Sequence, residues 1–177
     1  MKNLMVFSSS NSKASINAKL VKYSTTFLKN SNHSYININD YETTIYSIDK
    51  EIEQGIPKEI VEFKKLIDNC DGIIISLAEH NSSFTVIFKN IIDWLSRINY
   101  KFLANKKLLL LSTSPGKYGG KNVMQYASDL FPKFNAEIVN TFSLPSFQDN
   151  FNDENGIINE DLKNDFIKII TDFEKKL

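Results

Sequence analysis

Solid apolar runs alternate along the chain with one-faced apolar spacings, and this alternation predicts strands followed by helices. The runs occupy Leu4–Phe7, Tyr35–Ile38, Gly72–Leu77, Lys107–Leu111 and Glu137–Phe142. Between them, apolar residues recur at the i, i+3, i+4, i+7 spacing that places side chains on one face of a helix. The clearest such helix is expected over Phe84–Arg97. Another is expected over Ser15–Lys29, and Pro145–Gly156 is expected to be a polar loop.

Strands that are apolar throughout are buried on both faces, which is typical of a parallel sheet covered by helices. Five strands in 177 residues fit a three-layer α/β fold of the flavodoxin-like class, with a parallel sheet of order 2-1-3-4-5. No repeat or linker interrupts the pattern, so residues 1–177 are expected to form a single domain. The stretch Asn39–Ile56 is long for a structureless loop, which indicates either a function or partial helix.

Composition narrows the classes of partner. Lys+Arg and Asp+Glu both number 21, and this balance argues against nucleic acid, whose phosphates require a basic surface. The single cysteine, Cys70, excludes an internal disulfide, and with only two histidines a catalytic zinc site or a Ser/His/Asp triad is disfavoured. No signal peptide or membrane span is evident, so we expect a cytoplasmic protein without a membrane partner.

Three polar loops follow the first, third and fourth predicted strands, and in this fold their ends meet at one edge of the sheet. The first loop, Ser8–Asn17, is crowded with hydroxyl groups and opens a helix, which favours an anion site over simple helix capping. It contains neither a G-x-x-x-x-G-K-[ST] sequence nor a G-x-G-x-x-G sequence. The edge is therefore expected to bind a phosphate-bearing ligand.

The other two loops offer groups suited to a flat polar ring. In Ala78–Ser83, Glu79 could accept a hydrogen bond, or remain solvated, and Asn81 could both donate and accept. His80 is more often simply exposed than an acid or base at such a position. In Ser112–Gly120, the glycines either permit a close approach of the backbone or serve an ordinary turn.

These loops carry three motifs that together suggest a family. They read S-S-N-S-K-A-S-I-N-A-K-L at Ser9–Leu20, A-E-H-N-S-S-F-T-V-I-F-K-N-I-I-D-W at Ala78–Trp94, and S-T-S-P-G-K-Y-G-G at Ser112–Gly120. The chain resembles the NADPH-dependent FMN reductase family, which includes quinone, azo-dye and chromate reductases. The resemblance covers nearly the whole chain.

The family's corresponding motifs are G-S-x-R-x-x-S-x-N-x-x-L, P-E-Y-N-x-S-x-P-G-x-L-K-N-x-I-D-W and S-x-S-P-G-x-x-G-G. The third motif is complete in this chain. In the first, Ser9 stands at the glycine and Ser12 at the arginine. In the second, Ala78 and Thr85 stand at the two prolines, while His80 and Val86 replace tyrosine and glycine.

The resemblance implies one bound FMN and a site made by all three loops. The residues it assigns to FMN are Ser9, Ser10, Ser12, Ser15, Ile16, Asn17, Ala78, Glu79, His80, Asn81, Ser82, Ser114, Pro115, Gly116, Gly119 and Gly120. The phosphate is expected on the first loop, and the ribityl chain and ring on the other two. No metal and no catalytic side chain is expected, because the redox chemistry belongs to the flavin.

The implied activity is hydride transfer from NADPH or NADH through FMN to a small-molecule acceptor such as a quinone, an azo dye or free flavin. The resemblance also implies a homodimer or homotetramer, with the Phe84–Arg97 helix and Trp94 near the interface, although core packing explains Trp94 equally well. Two alternatives remain open at this stage. One is an electron carrier of the flavodoxin type, and the other is an interaction protein whose flavin site has degraded.

Overall fold

The solid apolar runs form the strands of a parallel sheet. In the computed structural model, which describes residues 1–177, five strands pair in the order β2-β1-β3-β4-β5, all parallel. Their bounds are β1 Lys2–Ser8, β2 Ser31–Ile36, β3 Gly72–Leu77, β4 Lys107–Thr113 and β5 Glu137–Leu144. A small antiparallel pair, β6 Phe151–Asn152 and β7 Gly156–Ile157, lies outside this sheet. The predicted flavodoxin-like fold class is therefore confirmed.

Helices cover both faces of the sheet. Their bounds are α1 Ile16–Thr25, α2 Ile48–Gln54, α3 Lys58–Asn69, α4 Val86–Ile98, α5 Lys121–Leu130, α6 Phe147–Asn150 and α7 Glu160–Lys176, with short 3₁₀ turns at Ile38–Tyr41 and Phe131–Phe134. One core lies beneath α3, α4 and α5, and the other lies beneath α1 and α7. In β3, Ile73 and Ile75 enter the first core while Ile74 enters the second. Burial on both faces is the reason that the strand is apolar throughout.

Several predicted boundaries differ from the structure. β2 begins at Ser31 rather than Tyr35, because an edge strand pairs through its backbone and its polar residues give no apolar signal. The helix expected to reach Lys29 ends at Thr25, where the Thr25 and Thr26 hydroxyls donate back to carbonyls three residues earlier. The predicted loop Pro145–Gly156 also contains α6 and the start of the β6–β7 hairpin.

The stretch Asn39–Ile56 is partly helical and is fastened to α4. Asn90 Oδ1 accepts from the Tyr46 N–H at 2.9 Å, and Asn90 Nδ2 donates to the Thr44 carbonyl at 3.1 Å. Trp94 Nε1 donates to the same carbonyl at 2.9 Å. The Trp94 side chain is fully buried within the chain, so it packs in the core and does not itself form part of the exposed surface. No helix combines the length and apolar character that crossing a membrane requires.

Candidate functional site

A polar pocket lies where the loops after β1, β3 and β4 meet at the carboxyl edge of the sheet. Its cavity measures about 210 Å³. The lining residues are Ser10, Ser12, Ala14, Ser15, Ile16, Asn17, Ala78, Glu79, His80, Thr113, Ser114 and Pro115. Of the predicted site residues, those outside this lining are Ser9, Asn81, Ser82, Gly116, Gly119 and Gly120. Ala14 and Thr113 line the pocket although the sequence did not single them out.

The serines of the first loop shape its backbone. The hydroxyls of Ser8, Ser10 and Ser12 each accept from the N–H two residues further on, at 3.2, 3.2 and 3.3 Å. These are successive ST-turns, in which the side chain replaces a backbone acceptor. The O–H hydrogens of Ser10 and Ser12 are not used by these bonds. They remain available to a ligand in the pocket.

The N-terminus of α1 presents free donors to the same pocket. Ser15 caps the helix, its Oγ accepting from the Ala18 N–H at 3.0 Å. No hydrogen bond within the chain uses the backbone N–H of Ile16 or of Asn17. First-turn amides and the positive end of the helix dipole favour an anion at this position.

Asn17 fixes the direction of that helix. Its Oδ1 accepts from Ser76 Oγ at 2.8 Å and from the Thr113 N–H at 3.1 Å, and its Nδ2 donates to the Thr113 carbonyl at 3.1 Å. The side chain is buried and joins α1 to the carboxyl ends of β3 and β4. Asn17 therefore meets the pocket chiefly through its backbone. The sequence pattern did not distinguish this from a side-chain contact with a phosphate.

The second loop is a tight hairpin that docks on α5. His80 and Ser83 exchange backbone hydrogen bonds of 3.0 and 3.1 Å around Asn81 and Ser82, which have φ of 51° and 63°. Two consecutive positive φ values are the signature of a type I′ turn. Its tip, Asn81 and Ser82, is exposed outside the pocket, and Ser82 Oγ accepts from Asn122 Nδ2.

Glu79 caps α5 from a distance. The residue before that helix is Gly120, which has no side chain to cap it. Glu79 Oε2 accepts from the Val123 N–H at 2.9 Å, which satisfies one first-turn donor and places a negative charge at the positive end of the helix. The carboxylate therefore has a structural partner rather than being solvated. His80 is exposed and makes no side-chain hydrogen bond within the chain.

Two glycines of the third loop are required by the turn itself. Gly119 has φ +59°, and a Cβ there would lie 2.7 Å from the Leu144 carbonyl oxygen. Gly120 has φ +80°, and a Cβ would lie 3.2 Å from Ser112 Cβ. Gly116 differs, because the atom nearest to a Cβ at this position would be Ser114 Oγ, at 3.9 Å. The close approach of the backbone is thus to β5 at Gly119 and to β4 at Gly120, not to the pocket.

Fold and site together define a flavodoxin-like α/β protein with a polar pocket at the carboxyl edge of its sheet. The sequence matches the profile of the family described as NADPH-dependent FMN reductase over residues 2–149. The chain belongs to this family, as the three motifs predicted.

Two curated relatives match about half of the chain. The chain is 31% identical to a quinone reductase of Escherichia coli K12 over 96 aligned residues. These residues make up 54% of this chain and 51% of that protein. The chain is 28% identical over 79 residues to an NAD(P)H-dependent FMN reductase of Pseudomonas aeruginosa, 45% of this chain and 40% of that protein. The chain thus spans about half the length of these relatives.

Solved structures share the fold over its full extent. FerB of Paracoccus denitrificans, a flavoenzyme NAD(P)H:(acceptor) oxidoreductase, aligns with a TM-score of 0.73 at 22% identity, covering 99% of this chain and 98% of that one. An FMN-dependent NADH-azoreductase of Bacillus anthracis in complex with FMN aligns with a TM-score of 0.65 at 13% identity, covering 99% of both chains. At these identities the likeness establishes the fold.

Proposed function

We propose that the pocket binds FMN and that the protein is an oxidoreductase. In this proposal it takes hydride from NADPH or NADH and delivers reducing equivalents to a small-molecule acceptor such as a quinone, an azo dye or free flavin. The observation that carries the proposal is the pair of free N–H groups at Ile16 and Asn17, which open onto the same pocket as Ala78–His80 and Ser114–Pro115. Family membership supports the choice of FMN over other anions.

The residues present fit this cofactor. The hydroxyls of Ser10, Ser12 and Ser15 and the amides of Ile16 and Asn17 would hold the phosphate, because all of them line the pocket at the start of α1. The backbone of Ala78–His80 and of Ser114–Pro115 would face the ribityl chain and ring.

The remaining predicted residues act indirectly in this proposal. Asn81 and Ser82 form the hairpin that carries His80, and Gly119 and Gly120 set the turn after β4. Gly116 contributes its carbonyl, which accepts from the Ser146 N–H at 3.0 Å and ties the third loop to the chain after β5. Ser9 lies behind the pocket wall, fully buried.

Bound FMN would supply the redox chemistry, accepting hydride from the nicotinamide and passing reducing equivalents to the acceptor. The protein's part is to bind and orient it. We propose no acid or base for His80, which is exposed and has no carboxylate partner to orient its ring.

The first experiment is a visible spectrum of the purified protein, followed by titration with FMN. We expect either flavin absorbance as purified or saturable binding of one FMN per chain at micromolar concentration. A colourless protein that fails to bind added FMN at that concentration would contradict the proposal. It would favour the degraded-site alternative.

The second experiment measures steady-state oxidation of NADH and NADPH with a quinone acceptor. We expect both nucleotides to be used with similar kcat/KM, because Ser12 stands where the family motif has an arginine that could recognise the 2′-phosphate. An NADPH preference above about a hundredfold, roughly 2.7 kcal/mol, would reveal a cationic site elsewhere. FMN binding without oxidation of either nucleotide would indicate a flavodoxin-type carrier.

We further propose that the protein is a homodimer that works in the cytoplasm. Apolar side chains stand exposed at Ile45, Ile48, Ile52 and Val86, and we call these four residues the apolar patch. Ile45 and Val86 line one cavity, and α2, which carries Ile48 and Ile52, has no buried residue. Val86 begins α4, the helix that the family resemblance places at the interface. The single cysteine is buried and unpaired, which fits a reducing compartment.

A further inference from the structure

Ser9 uses all of its polar groups to join separate parts of the chain. Its N–H donates to the Ser76 carbonyl at 2.9 Å, and its Oγ accepts from the Ala78 N–H at 2.8 Å. Its own carbonyl accepts from Thr85 Oγ1 at 2.5 Å. Ser9 is fully buried, and Ala78 and Thr85 are buried as well. No water can therefore replace these bonds without a rearrangement of the loops.

These bonds connect two walls of the pocket, the loop after β1 and the loop after β3. Ser9 immediately precedes Ser10, which belongs to the phosphate side, while Ala78 lies on the side assigned to the ribityl chain and ring. Thr85 caps α4, its Oγ1 also accepting from the Phe88 N–H at 3.4 Å. We propose that Ser9, with Ala78 and Thr85, sets the separation of the two walls and is a positioning residue for FMN. This inference rests on the proposed function.

The three residues also depart together from the family motifs. Ser9 stands at a glycine, and Ala78 and Thr85 stand at prolines. A proline has no N–H, so a glycine–proline pair at positions 9 and 78 leaves no donor that needs an acceptor. With alanine at position 78, a buried N–H arises, and the serine hydroxyl satisfies it. The serine at position 9 and the alanine at position 78 therefore compensate for each other. These two departures from the family motifs do not mean that the flavin site has degraded.

A substitution at only one of positions 9 and 78 leaves the group at the other position without a suitable neighbour. Ser9→Gly leaves the buried Ala78 N–H without an acceptor, which costs more than the bond itself contributes. Ala78→Pro removes the donor and places a ring carbon against Ser9 Oγ, which now lies 2.8 Å from the Ala78 nitrogen. In the double variant Ser9→Gly/Ala78→Pro, neither conflict arises. The two substitutions should therefore be strongly non-additive.

The experiment compares the wild type, the two single variants and the double variant. Two quantities are measured: the urea midpoint of the apoprotein and the Kd for FMN, by flavin fluorescence in buffer where circular dichroism shows each variant folded. We expect each single variant to lower the midpoint and to raise the Kd about tenfold. The double variant should recover the midpoint and return the Kd to within about threefold of the wild type.

Ser24→Ala is the matched control. Ser24 is also fully buried, but its Oγ donates to the Val21 carbonyl within α1, away from the pocket. Its loss should lower the urea midpoint and leave the Kd for FMN unchanged. A purely structural role for Ser9 would give the same result as this control.

Several outcomes overturn the inference. A double variant no better than the worse single variant would show that positions 9 and 78 are independent. If Ala78→Pro does not fold, the comparison of Ser9→Gly with the double variant decides the same point. Unchanged FMN affinity in folded Ser9→Gly would refute the positioning role. A wild type that binds no FMN would instead refute the proposed function, while the urea midpoints would still decide whether the two positions are coupled.

Discussion

At the scale of single residues, the pocket is rich in neutral donors and poor in charge. Serine hydroxyls and backbone amides surround the start of α1, and no lysine or arginine lines the cavity. Ser12 lines the pocket, stands at the arginine of the family motif, and accepts from the Ala14 N–H. A phosphate held there would be neutralised only by dipoles and hydrogen bonds.

Ser12→Arg should therefore tighten FMN binding. One charge-assisted hydrogen bond contributes about 1.5–3 kcal/mol, so the Kd should fall by about tenfold or more. Asn11→Arg is the control, because Asn11 belongs to the same loop but lines a different cavity, beside Val86 and Ile87. Titration of both variants with FMN at one ionic strength distinguishes a direct contact between the arginine and the phosphate from a general effect of added positive charge. Equal tightening by both would show that position 12 does not face the phosphate.

At the scale of elements, the third loop and α5 depend on backbone that only glycine provides. Gly119→Ala combines a left-handed φ with a Cβ 2.7 Å from the Leu144 carbonyl oxygen. We expect a loss of about 2 kcal/mol or more in the free energy of unfolding, measured by urea denaturation. Gly116→Ala, whose Cβ would meet nothing closer than 3.9 Å, should change it by less than about 0.5 kcal/mol. Similar losses in both variants would contradict this account.

The end of α7 is joined to the turn between α1 and β2 by one carboxylate. Glu174 accepts from the Lys29 and Asn30 N–H groups, each at 3.0 Å. Burial alone would raise the pKa of Glu174, but these bonds and those from Ser31 outweigh it, so the pKa is lowered. Because the pKa is lowered on folding, the ionised Glu174 stabilises the fold at any pH above its pKa in the unfolded chain. This stabilisation is lost as the pH falls through the lower pKa that Glu174 has in the folded chain.

Glu174→Gln should therefore lower the free energy of unfolding more at neutral pH than in acid. The difference from the wild type should shrink as the pH falls below about 4.3, the ordinary value for a glutamate. Denaturant titrations of the wild type and of Glu174→Gln at pH 7 and at pH 3.5 measure this difference in the free energy of unfolding. Asp172→Asn, on the same helix and without a hydrogen-bond partner in the chain, controls for the loss of one acidic side chain. A difference that stays constant with pH would contradict the role given to Glu174.

At the scale of the whole molecule, the apolar patch leaves an uncovered face beside α4. Ile52→Glu places a charge on a side chain that is 76% exposed, on a helix without buried residues, so the fold should be unaffected. In the proposed homodimer, this change should convert the protein to monomers, as measured by light scattering after size-exclusion chromatography. Ile158→Glu, at an exposed position next to β7 on the other face of the sheet, should leave the mass unchanged. A wild type that is already monomeric would contradict the homodimer.

The sequence by itself determined the class of sheet, its order and the family. Burial on both faces is visible in the sequences of β3 and β4, because nearly every residue of these two strands is apolar or small. The motifs located the three loops, and the topology brings those loops to one edge. The sequence of the edge strand β2 is polar and shows no such apolar run, because β2 pairs with β1 through its backbone.

Only the tertiary structure decided what the polar side chains in those loops contact. Ser9 with Ala78, Asn17 with Thr113, and Glu79 with Val123 are separated by 69, 96 and 44 residues. A serine, an asparagine or a glutamate in a loop can serve a ligand or a distant backbone group equally well, and local spacing does not distinguish them. The choice depends on which strand ends and helix termini the fold brings within hydrogen-bonding distance.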